Sequence, residues 1–93
     1  MRAFIKHPHT EWSVTEIDNT LEALQNAVGG YIEVVTLATD MCLIVDEEGL
    51  LKGKEYNITL CGMPIVGTAL LVGVDGENFC DIPDCIKNYL GGI

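Results

Sequence analysis

Basic residues are scarce in this chain. Five Lys and Arg stand against 14 Asp and Glu in 93 residues, for a formal charge of −9. Phosphate backbones are held by clustered Lys and Arg, so direct nucleic-acid binding is not expected. An anionic membrane surface is a poor partner for the same reason. Long apolar runs are lacking too. The longest, 63–74, is interrupted by Pro64, Gly67, Thr68 and Gly73. It falls short of the ~20 residues a membrane-spanning helix needs. The segment from Met1 to Pro8 carries no apolar stretch followed by a small-residue cleavage site. The chain is therefore read as cytoplasmic.

Catalytic vocabulary is also thin. The two histidines, His7 and His9, flank Pro8 at an expected turn. No Gly-x-Ser-x-Gly elbow, phosphate loop or dinucleotide fingerprint occurs. Of the four cysteines only Cys80 and Cys85 are close, and structural zinc sites usually show two tight pairs. Reduced, mostly buried thiols are expected, with no metal and no cofactor. Asp46, Glu47 and Glu48 are consecutive, point in different directions on an extended chain, and read as a solvated turn.

What is present is apolar content. Hydrophobic residues make up 48% and charged residues 20%, which sets the chain apart from disordered sequences. A single α+β domain over 1–93 is expected. Arg2 to Lys6 reads as a first strand and 12–17 as a second, paired as a hairpin. Leu21, Leu24, Ala27 and Val28 follow the capping side chains of Asp18, Asn19 and Thr20 at helical spacing. Gly29 and Gly30 end that helix, although a left-handed cap needs only one glycine. Strands are expected at 31–37, 41–45, 67–74 and 77–80, with Asp75-Gly76 turning between the last two. Residues 52–57 read as an exposed loop, 58–61 stay unassigned, and 62–64 are a break. Asp81 caps a last helix with an apolar stripe of Ile86, Tyr89 and Leu90, which Gly91-Gly92 stops.

The fold expected is α+β: a mostly antiparallel sheet of five or six short strands with two short helices, one after the second strand and one at the C-terminus. The helices cover one sheet face. The strands at 31–37, 41–45 and 67–74 are too apolar for a sheet wetted on its other face. A curled sheet or a homo-oligomer is expected to bury it.

Leu21 to Val28, followed by Gly29-Gly30-Tyr31-Ile32-Glu33-Val34-Val35, forms a distinctive block. Asp46-Glu47-Glu48-Gly49-Leu50-Leu51-Lys52-Gly53, Asn57 and Gly67-Thr68-Ala69-Leu70-Leu71-Val72-Gly73 follow it. This succession resembles a family of small domains of unknown function carried by phages and conjugative elements of gut Firmicutes. The likeness spans roughly residues 1–80. It implies a habitat, in which small acidic proteins often counter host defences, and no chemistry.

Seven residues are candidates for ligand contact. Lys52 and Lys54 are spaced to point one way from an extended segment, with a glycine between them, and could hold a phosphate. Tyr56 could stack on a base, and Asn57 lies in the same loop. Tyr31 and Glu33 share one strand face. If that face is covered, Glu33 needs a cationic partner, for which Arg2 and Lys6 are available. If it is open, Tyr31 and Glu33 form a recognition pair. Arg2 would add charge to a ligand site. Trp12 is either core or an anchor for a partner.

The function expected is non-enzymatic binding in counter-defence. The protein would sequester a small nucleotide signal or block a host defence protein, its −9 charge facing a basic cleft. The alternatives are a small metal-assisted hydrolase and a regulatory protein-interaction module.

Overall fold

The computed structural model describes residues 1–86. Eight strands and one helix follow in the order β1 (Arg2–Lys6), β2 (Ser13–Glu16), α1 (Leu21–Val28), β3 (Ile32–Ala38), β4 (Met41–Asp46), β5 (Tyr56–Leu60), β6 (Met63–Val66), β7 (Ala69–Asp75) and β8 (Asn78–Cys80). Six strands form one sheet, ordered β2-β1-β7-β4-β3, with β8 also on β7. Every pairing is antiparallel. β7 is the hub. One of its edges carries β4, through Leu70 to Gly73. The other carries β1 at Ala69 to Leu71 and then β8 from Gly73 to Asp75.

The helix forms as its sequence dictates. The Thr20 hydroxyl accepts the Ala23 N–H at 3.2 Å, satisfying one orphan donor of the first turn. Gly29 ends it at φ 83°, and its N–H reaches the Gln25 carbonyl at 2.8 Å. Leu24 and Val28 are buried against Ala3, Cys42, Ile44, Leu70 and Val72. Period-two alternation thus sends one set of strand residues under α1. The alternate set, Phe4, Leu43, Val45, Ala69 and Leu71, packs with Trp12, Ile65 and Ile82 on the far side. Trp12 is core.

That far side is closed by a second, two-stranded sheet, β5 and β6. Ile58, Leu60 and Ile65 lie against the large sheet. The excess apolar surface expected to drive curling or oligomerisation is thus covered within the chain. The segment 52–57 is not a continuous loop, since β5 begins at Tyr56. Cys61 (φ 51°) and Gly62 (φ 76°) supply the two positive-φ residues of a tight hairpin turn. A cysteine is an unusual occupant of that position, and the proline of β6 hides the strand from pattern reading.

Only one α-helix is present among the described residues. Where a second was expected to begin at Asp81, residues 84–86 form a single 3-10 turn. The Asp81 carboxylate accepts the Arg2 N–H at 2.8 Å and the Ile82 N–H donates to the Arg2 carbonyl at 2.9 Å, so this segment runs alongside β1 and Asp81 is not free to cap a helix. The rest of that expected helix, including Tyr89 and Leu90, lies outside the described residues. The thiols also depart from expectation. Cys42 is buried, Cys80 is half-buried, and Cys61 and Cys85 are exposed, all free. Burial, with a smaller push from Cys80, raises the Cys42 thiol pKa. No helix among the described residues is long and apolar enough to cross a membrane.

Candidate functional site

Asp46 ends β4 and is fully buried at its side chain, contrary to a solvated acidic turn. A lone carboxylate there would be costly. Two ammonium groups meet it: Lys54 Nζ at 2.6 Å and Lys52 Nζ at 2.9 Å, both on Oδ2. Oδ1 accepts the Glu48 N–H at 2.9 Å. Burial pushes the Asp46 pKa up, but hydrogen bonds from Lys54, Lys52 and the Glu48 amide, with the charge of Lys54, hold it well below the usual carboxylate range.

The same lysines close the end of α1. Lys54 Nζ donates to the Val28 carbonyl at 2.7 Å, and Lys52 Nζ to the Gly29 carbonyl at 3.1 Å. α1 has no basic residue in its own last turn, so cations from a remote segment offset its C-terminal partial charge. This explains the second glycine. A Cβ on Gly30 would stand 2.8–2.9 Å from both Asp46 carboxylate oxygens and would collide with Lys52 Nζ. Gly67, at φ 73°, leaves room for the Lys54 stem in the same way.

The turn between β4 and β5 stands on this base. Gly49 N–H reaches the Asp46 carbonyl at 3.1 Å, Lys52 N–H the Glu48 carbonyl at 2.9 Å, and Lys54 N–H the Gly49 carbonyl at 3.0 Å. Its tip carries Leu50, 81% exposed, and Leu51, 87% exposed. Glu47 is exposed beside them and Glu48 half-exposed. Glu33, Glu47 and Leu50 line one small cleft with Pro64 and Val66 of β6. An open depression of about 330 Å³ lies on the helix side, bordered by Asn26, Gly30, Tyr31, Glu48 and Lys52. Another, of about 450 Å³, lies over His9, Lys54, Glu55 and Thr68.

The seven candidate residues do not converge. Lys52 and Lys54 do lie together, but on Asp46 and the helix end rather than free for a phosphate. Tyr31, 65% exposed, borders the Lys52 depression. Glu33 is exposed and meets neither Arg2 nor Lys6. Arg2 is remote: its guanidinium pairs with Asp84 at 3.0 Å and donates to the Ile82 carbonyl at 2.7 Å, tying down the chain after β8. Asn57 is buried. Its Nδ2 donates to the Lys6 carbonyl (2.8 Å) and the Gly67 carbonyl (2.7 Å), and its Oδ1 accepts from Lys6 Nζ (2.6 Å). It is a clamp between the hairpin and the large sheet. Tyr56 is exposed and bonds the Thr59 hydroxyl at 2.8 Å. Sequence reasoning missed Asp46, Leu50 and Leu51. The Lys-x-Lys pair and the Gly-Gly pair were the available signal, since two neighbouring lysines call for an anion and the second glycine leaves room for it.

Among the described residues, no group of three His, Cys, Asp or Glu is placed to hold a metal. No curated protein and no solved structure matches this chain. A family model does, over residues 1–92, under the description "Domain of unknown function (DUF3846)". The chain belongs to the DUF3846 family, a small domain of unknown function.

Proposed function

We propose that this chain is a non-enzymatic binding protein that docks onto a partner protein through the turn between β4 and β5. The observation that carries this reading is the exposure of Leu50 and Leu51, at 81% and 87%, on a turn anchored by a buried carboxylate. Exposed neighbouring leucines leave apolar surface in water, at roughly 25 cal/mol per Å². A partner pocket recovers that energy. The anchored base limits the entropy lost on docking. Glu33, Glu47 and Glu48 make an acidic surround, which suits a partner with an apolar pocket and a basic rim.

The resemblance to domains carried by phages and conjugative elements gives this partner a setting. In it the protein works in the cytoplasm of a bacterial host, and the partner is a host defence protein that it blocks. A nucleotide-type ligand is the second reading, favoured by the depression where Tyr31 borders Lys52. Its weakness is electrostatic. Both lysines are already committed to Asp46 and to helix carbonyls, so little positive charge remains for a phosphate. A metal-assisted hydrolase fares worse, because Asp46 is enclosed by ammonium groups that compete with any cation.

The experiment compares the tagged wild-type chain with Leu50→Ser/Leu51→Ser in host cells. Bound proteins are quantified, and the wild type is also examined by native mass spectrometry. One protein, retained by the wild type at a fixed ratio and lost with the double substitution, is expected. A small molecule released on denaturation, with no such protein, would replace this reading with the second.

A further inference from the structure

The two edges of the large sheet are built differently. At one edge, Met1 and Ile17 exchange both backbone hydrogen bonds at 2.9 Å. Alternation along β2 then turns only Val14 and Glu16 outward, in a four-residue strand. A short edge with a charged residue discourages further pairing.

At the other edge, the Glu47 N–H reaches the Tyr31 carbonyl at 2.8 Å. With Glu33 opposite Val45 and Val35 opposite Leu43, those residues bond to β4. Ile32, Val34 and Thr36 therefore turn their N–H and C=O groups away from it. No described residue pairs with them. The register shift between Thr36 and Ala38 ends the straight edge there. Its outward residues are β-branched, with no outward charge or proline to guard them. Val34 is 46% exposed.

We propose that a second copy of this chain pairs with this edge, antiparallel, about a two-fold axis through Val34. Outward groups can bond only outward groups, so few registers exist. An axis through Glu33 would set two carboxylates directly opposite, which is destabilising. An axis through Val35 would use only Val34 and Thr36. An axis through Val34 pairs Val34 with its copy and Ile32 with Thr36 in both directions. Each such pair exchanges two bonds, for about six in all. Glu33 then faces Val35 of the other copy, with its carboxylate free to reach water. The edge is complementary to itself, which favours a second copy over a foreign strand. This pairing does not depend on the docking turn, although Glu33 borders both.

Each copy carries −9, so the copies repel at long range and added salt screens that repulsion. Sedimentation velocity of the full chain is expected to give a species of twice 10.1 kDa, whose association tightens as salt rises. Val34→Pro removes one outward N–H and spares the β4 ladder. Val34→Lys sets like charges together at the axis. Both are expected to sediment as monomers with unchanged circular dichroism, and the lysine variant keeps the test valid if the proline variant unfolds. Amide exchange at Ile32, Val34 and Thr36 is expected to be slow in the wild-type dimer and fast in Val34→Lys. A wild type that stays monomeric at every concentration and salt would overturn the proposal. So would a dimer that survives Val34→Lys with the fold intact.

Discussion

Lys54 Nζ sits 2.6 Å from the Asp46 carboxylate, joining the start of the second sheet to the end of β4. The same nitrogen donates to the Val28 carbonyl at 2.7 Å, so helix, sheet and hairpin meet at one ammonium group. Lys52 completes the arrangement on the solvent side.

Removing the anion should therefore loosen three elements together. Asp46→Asn leaves two ammonium groups facing each other without a counter-charge. Breaking a buried pair typically costs ~3–5 kcal/mol, and partial hydration of both lysines puts this case near ~3. Urea denaturation should show a lower midpoint with little change in slope.

Acid should act through the same group. The Asp46 pKa is lower in the folded chain than in the unfolded one. Protons then bind preferentially to the unfolded state. The stabilisation is fully present above the ordinary Asp value of about 3.9 and is lost as pH falls below it toward the folded value. Stability measured from pH 7 to pH 2 should fall steeply at the acid end. In Asp46→Asn that part of the slope should be missing.

Gly30→Ala is a steric test free of left-handed strain, because Gly30, unlike Gly29, has no positive φ. The added methyl meets a buried carboxylate that has nowhere to move. Overpacking of this kind costs ~1–3 kcal/mol. Thermal melts should place Gly30→Ala well below wild type. Lys52→Met in the Gly30→Ala background should recover only part of the loss, since the Asp46 oxygens still block the methyl.

Asn57→Ala removes the clamp beneath β5. The Gly67 and Lys6 carbonyls lose a donor, at ~1–3 kcal/mol for a buried group left unsatisfied. Amide exchange should accelerate first in the hairpin, at Ile58, Leu60 and Ile65, before the large sheet opens.

The legible parts of the fold share one property: their signal is local. The Thr20 cap, the period of Leu21, Leu24 and Val28, and the apolar runs of β4 and β7 each announce themselves within a few residues. The left-handed Gly29 is likewise a local requirement. The β5–β6 hairpin was not legible, because Cys61-Gly62 is an uncommon turn pair and Pro64 interrupts the strand pattern. The candidate site was half legible. Lys52, Lys54 and the two glycines stood out, but their purpose did not.

The local sequence set α1, the strands of the large sheet, the acidity and the unusual Lys-x-Lys and Gly-Gly pairs, because propensity and charge are properties of neighbours in the chain; it set neither the β5–β6 hairpin nor the 3-10 turn after Pro83. The burial of Asp46, the use of both lysines to hold it, and the closing of the far sheet face from within arise only when the chain folds. The Asp46 cluster depends on contacts across 6 to 26 positions of chain, from Asp46 to Lys52 and from Val28 to Lys54, and the closed face on a clamp across 51, from Lys6 to Asn57. A carboxylate's environment is set by what folds over it, and no local pattern carries that information.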